Sequence, residues 1–232
     1  TELSDGLKTR HGDLLGDVNF AGILNTAIDL RGQALFMDMI DQPDEVETLL
    51  AGIGAVIEQF TGKMARETGT TSISVNRVVR HFPRPIYLHS ECSHVMISTT
   101  QYEQFLMKYD TAWSESHRPF GIHYCGEDPH RFAGVFARLP HLDFLDVGWG
   151  GDVAVLREHL PDTFLNIRYS PVEIVKQSPD EIRDSLRRLV HASGNPYLTG
   201  VCCINMDDQV TDEQVTTILE TVESLRKEYG VA

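Results

Sequence analysis

The chain has 232 residues, 41% of them hydrophobic, which suffices to bury the core of one large domain or two small ones. Its net charge of −14 is spread along the chain rather than clustered, which argues against non-specific binding to nucleic acid or to an anionic membrane surface. No run approaches the ~18 apolar residues of a membrane helix and no export signal opens the chain. Four cysteines without framework spacing fit metal or thiol chemistry in a reducing cytoplasm better than disulfides.

Residues 1–16 are polar and aperiodic, and a short strand candidate at 17–21 leads into an apolar stretch at 23–30 that Gly32 interrupts. The pattern over 43–68 is strongly helical. Val46, Leu49, Leu50, Ile53, Val56, Ile57, Phe60 and Met64 recur on one face, Pro43 suits the first turn, and Asp44 and Glu45 suit the positive end of the dipole. Strand candidates at 71–75 and 86–89 flank the turn-forming Phe82-Pro83-Arg84-Pro85. A helix over 98–114 follows, with Thr100 and Glu103 at capping-box spacing.

After a strand at 120–125 the units repeat, with helices at 128–138 and 152–159 and strands at 142–147 and 163–167. Ser178 and Glu181 form a second capping box, on a helix whose inner face carries Ile182, Leu186, Leu189 and Val190; a strand at 197–204 and a helix from Thr211 to about Tyr229 close the chain. Alternation at these lengths predicts βαβ units and a parallel sheet of about six strands, too few for a complete eight-stranded barrel. With no repeat, low-complexity tract or linker, residues 1–232 read as one domain.

Chemistry in parallel α/β architectures gathers at the carboxyl ends of strands. His123 and Cys125 in Phe120-Gly-Ile-His-Tyr-Cys-Gly126 stand two apart, so they share one face of a strand, and both suit zinc. A third ligand must come from elsewhere. Cys202 ends another predicted strand, Cys203 faces away from it, and Cys92 reads as an ordinary half-buried loop thiol. Asp146 and Glu91 are the candidate catalytic carboxylates, or a completing ligand, while His89 and Arg168 are candidate substrate contacts. The plainer readings are a buried structural histidine and an inert core thiol for His123 and Cys125, a helix-capping or loop-fixing carboxylate for Asp146, and a surface ion pair for Arg168. The chain carries no G-x-S-x-G elbow, no G-x-G-x-x-G after a strand and no G-x-x-x-x-G-K loop.

From about Gly16 onward the sequence resembles the uroporphyrinogen decarboxylase superfamily, in particular its zinc-dependent, corrinoid-linked methyltransferase branch. The resemblance rests on residues 25–42 with Leu30-Arg31-Gly32, Met96-Ile97-Ser98 before Tyr102, Ile122-His123-Tyr124-Cys125-Gly126, residues 143–148, Tyr169-Ser170-Pro171 before 178–182, and residues 198–204. It implies a (β/α)8 TIM-barrel-like fold, here lacking the first part of the barrel. It also implies zinc on His123, Cys125 and Cys202, and a methyl group moved between a corrinoid (free methylcobamide or one carried by a partner protein) and a thiol or folate. Asn166-Ile-Arg168-Tyr169 and Cys203 depart from that branch and imply a divergent substrate. The alternatives are a metal-free lyase acting on a polycarboxylate, and a non-catalytic truncated domain. An incomplete barrel would expose strand edges, which a homo-oligomer would cover.

Overall fold

The computed structural model describes residues 2–12, 20–68, 79 and 81–231. Four helices come first: α1 (Glu2–His11), α2 (Ile23–Arg31), α3 (Ala34–Asp41) and α4 (Pro43–Thr68). Strands and helices then alternate: β1 (Tyr87–Ser90), α5 (Thr99–Phe105), α6 (Met107–Ser116), β2 (Phe120–Tyr124), α7 (Ala133–Phe136), β3 (Phe144–Val147), α8 (Val153–His159), β4 (Phe164–Arg168), α9 (Pro171–Lys176), α10 (Pro179–Ala192), β5 (Thr199–Cys202) and α11 (Asp212–Tyr229).

Among the described residues all strand pairs are parallel, and the five strands lie side by side in chain order, β1-β2-β3-β4-β5. A doubly wound sheet would reverse its order at a switch point; this one never does. Right-handed crossovers that always step the same way lay the helices that connect the described strands on one face. The result is an α/β arc of the TIM-barrel kind, with a helix-covered outside and an inner face.

Strand alternation separates those faces. Tyr87, Ile122, Tyr124, Leu145, Val147, Leu165 and Ile167 point outward into the main core, to which every helix from α2 to α8 contributes buried side chains. Inward, Leu88, Gly121, Phe144 and Phe164 share one rung, and Ser90, His123, Asp146, Asn166 and Gly200 share the next. The lower rung is apolar: Phe144 stacks on Phe164 at 6.0 Å and Phe82 meets both edge-on. Each such buried ring contributes about 1.5–3 kcal/mol. Arg157 of α8 ties down the amino ends of β4 and β5, donating to the carbonyls of Leu160, Pro161, Thr163, Ser193 and Leu198 at 2.8–3.0 Å.

Several boundaries differ from the sequence-based expectation. The strand at 71–75 and most of that at 17–21 fall outside the described residues, and Phe20 and Ala21 are not in a strand. The helix at 98–114 is two helices that break at Leu106, and its capping box is Ser98 with Gln101 rather than Thr100 with Glu103. Ser98 is the last extended residue, so only its side chain can reach back to the third helical N–H. The capping box at Ser178 and Glu181 forms as expected, and Gly230 ends α11 in the left-handed region.

Candidate metal centre

Three donor atoms converge at the carboxyl ends of β1 and β2. They belong to Cys92, His123 and Cys125, and all lie within 4.8 Å of one another. Cys125 Sγ stands 2.7 Å from His123 Nε2 and 2.8 Å from Cys92 Sγ. Ser90 pairs with His123 in the sheet, and two residues further along each chain are Cys92 and Cys125. The same strand register that sets the histidine therefore sets the two thiols side by side.

The loop carrying Cys92 is held by the start of α2. Glu91 accepts from the N–H groups of Leu24 (2.7 Å) and Asn25 (3.0 Å), a carboxylate on the positive end of a helix. The Asn25 side chain accepts from Ser93 N at 3.0 Å and donates to Ser90 O at 3.0 Å. Gly22 makes this approach possible, because a side chain there would strike the Glu91 carboxylate and the Ser90 carbonyl. Gly148 does the same for Cys125: a Cβ would lie 2.6 Å from the Cys125 carbonyl oxygen and would also hit that of Gly126.

Asp146 is fully buried one strand away and orients the histidine. Its Oδ2 takes the hydrogen bond from His123 Nδ1, and its Oδ1 accepts from Asn166 Nδ2 at 3.0 Å. With Nδ1–H held by Asp146, a metal that displaces the Nε2 proton would meet a lone pair aimed at the thiols, as in carboxylate–histidine–metal arrangements. Burial would lower the His123 pKa, but Asp146 and Cys125 outweigh it and push it up to about 9. The Cys125 thiol is drawn down to about 4, first by the hydrogen bond from Cys92 and then, against burial, by His123. Cys92 is correspondingly raised, by Cys125 and by burial. One thiolate, one thiol donor and one imidazolium share the metal-free site.

Arg168, at the end of β4, is 14% exposed; its Nε lies 4.0 Å from Asp146 Oδ2 and carries no hydrogen bond. Its positive charge favours the thiolate at Cys125 and, against the larger effects of burial and neighbouring acids or thiols, at Cys92 and Cys202.

The other expected site residues are placed differently. Cys202 pairs in register with Arg168 and stays outside the Cys92–His123–Cys125 trio. From β2 to β5 is three strand steps, about 14 Å along the sheet, whereas β1 is one step away. Burial, then Asp146, pushes the Cys202 thiol up to about 11. Cys203 packs against the apolar cluster around Tyr169 and Ile174. His89 alternates onto the outer, helix-covered face. There its Nδ1 meets Asp110 Oδ1 at 2.7 Å, its Nε2 accepts from Ile23 N at 3.3 Å, and Tyr102 donates to Asp110 Oδ2 at 2.7 Å. Both His89 and Glu91 are wholly buried, and their polar atoms hold α2 and α6 in place. Glu91 therefore faces the helix start, not the trio.

Cys92 and Asn25 are the members that sequence reasoning passed over. The signal for Cys92 was its position: two residues beyond a strand end, next to a strand that carries a thiol at the matching place.

Comparison with protein-family models finds no match, and comparison with curated protein sequences finds none either. Solved structures do match. The fold resembles that of a methyltransferase from Methanosarcina mazei. The TM-score is 0.67 at 14% identity, and the alignment covers 97% of this chain and 63% of the Methanosarcina protein. The chain thus spans less than two thirds of that neighbour's length.

These donors fit zinc by their chemistry. Thiolate sulfur and imidazole nitrogen are its usual ligands, three protein ligands leave one position open, and a buried carboxylate steadies the histidine.

Proposed function

We propose that this chain carries the metal-binding half-site of a methyltransferase: zinc on Cys92, His123 and Cys125, with a thiol as methyl acceptor and a corrinoid as methyl donor. The observation that carries the reading is the trio itself, at the carboxyl end of a sheet whose fold resembles a methyltransferase. Zinc would supply there the charge that keeps an acceptor thiol deprotonated at neutral pH. The protein's own residues do the rest. Asp146 keeps the proton on His123 Nδ1 so that Nε2 is free to donate its lone pair. Asn166 fixes Asp146 in turn. Arg168, ion-paired with Asp146 at 4.0 Å, acts through its charge on the Cys92, Cys125 and Cys202 thiols and suits an anionic group on the acceptor. Gly126 and Gly148 let the two loops close around Cys125.

The donor would be a free cobamide or one held by a corrinoid protein, in the reducing cytoplasm that two free thiols require. A folate in place of the thiol is the alternative acceptor. Among the described residues β1 and β5 end the sheet, and a second copy of the chain packed against these end strands is the homo-oligomer this reading allows.

The test is zinc content of the reconstituted, reduced chain alongside His123→Ala, Cys92→Ala and Cys202→Ala. The expected result is about one zinc per chain, lost in the first two variants and kept in the third. Loss in Cys202→Ala with retention in Cys92→Ala would move the third donor to β5. A wild type that takes up no zinc rejects the mechanism. Methyl transfer from methylcobalamin to small thiols, followed by absorbance, then tests the activity.

A further inference from the structure

We infer that Cys92 and Cys125 are a reversible dithiol–disulfide pair, so that the site is opened and closed by oxidation. The inference rests on the zinc reading only for its consequence, since closing the pair removes two of the three donors.

The geometry carries it. The two sulfurs lie 2.8 Å apart although the residues are 33 positions apart in sequence. A disulfide bond is about 2.05 Å long, so the sulfurs need to close by roughly 0.8 Å. Two thiolates on one tetrahedral zinc, each about 2.3 Å from the ion, stand about 3.8 Å apart. The sulfurs thus sit between the two arrangements. Each loop is anchored on its own, Cys92 through Asn25 and Glu91, Cys125 through its close backbone contact with Gly148. Cys125 is exposed and Cys92 half-buried, so a small oxidant reaches the first and the second stands behind it.

The chemistry balances with a peroxide as oxidant. The Cys125 sulfur attacks one peroxide oxygen, the O–O bond breaks, and Cys125 becomes a sulfenic acid as one water leaves. The Cys92 sulfur then attacks that sulfur, the S–O bond breaks and a second water leaves, so two thiols and one hydrogen peroxide give one disulfide and two waters. A dithiol reductant reverses the change by exchange.

The experiment has two arms on the full chain. In the first, the metal-free reduced protein receives one equivalent of hydrogen peroxide, free thiols are alkylated, and peptides are mapped by mass. A Cys92–Cys125 crosslink is expected in the wild type and in Cys203→Ser, and none in Cys92→Ser or Cys125→Ser. In the second, the zinc-loaded protein is treated in the same way with a chromogenic chelator present. Release of about one zinc per chain, reversed by dithiothreitol, is expected. A crosslink that maps to Cys202, or a Cys125 that over-oxidises with no crosslink, overturns the inference and leaves the zinc reading standing. If the chain holds no zinc, that reading falls, and the metal-free arm still decides the dithiol.

Discussion

His94 offers a quantitative test of the core beneath the site. Its ring is fully buried, and neither nitrogen has a hydrogen-bond partner among the described residues. Tyr102, Phe132, Phe136 and Tyr124 surround it with ring centroids 5.1, 5.6, 6.0 and 6.1 Å away. Burial, which outweighs the buried carboxylates of Glu91 and Asp110, depresses its pKa from 6.5 to about 4. The unfolded chain therefore takes up a proton near pH 6.5 that the folded chain refuses until near pH 4, so this residue lowers stability as pH falls through that window. Relative to pH 8 the loss reaches about 2 kcal/mol at pH 5, the difference between the two titrations at that pH. His94→Phe keeps a ring in the aromatic box and removes the titration. Urea unfolding of both proteins at pH 8 and pH 5 should show the wild type losing about 2 kcal/mol more than the variant between the two pH values. Equal losses in the two proteins would refute the reasoning.

Asp146→Asn replaces an acceptor with a group that must choose between His123 and Asn166; zinc affinity should fall 10–100-fold, read by chelator competition, with the fold unchanged by circular dichroism. Gly148→Ala drives a Cβ into the Cys125 and Gly126 carbonyls; about 2 kcal/mol or more of stability should be lost in urea melts, together with zinc retention. Arg157→Ala leaves five carbonyls at the amino ends of β4 and β5 without their donor and should cost about 3 kcal/mol or more in the same measurement.

The architecture was legible because alternation of strand and helix is a period signal carried by many residues at once. β2, β3 and β5 lie inside their expected ranges, β4 runs one residue past its own to Arg168, and the capping box at Ser178 and Glu181 formed as read. The helix at 98–114 misled because the break at Leu106 leaves the apolar spacing almost intact. In the site, His123 and Cys125 could be paired from spacing alone, since both sit on one strand. Everything that needed register could not. Whether Cys92 or Cys202 approaches Cys125 depends on which strand lies next to β2. His89 faces the helices because the face-sharing residue opposite His123 is Ser90, one position later. A polar residue near a strand end is a candidate for a site only once its face is known.

The chain-ordered sheet also sets the sequence in which the site assembles. Cys92, His123 and Cys125 come together as soon as β1 and β2 pair, whereas Asp146 arrives with β3 and Arg168 with β4. During vectorial synthesis, which releases amino-terminal segments first, the paired thiols would meet before the carboxylate that aims the histidine and the cation that acts on them. A nascent chain would thus pass through a stage in which its most reactive residues are already neighbours and their controlling groups have yet to emerge.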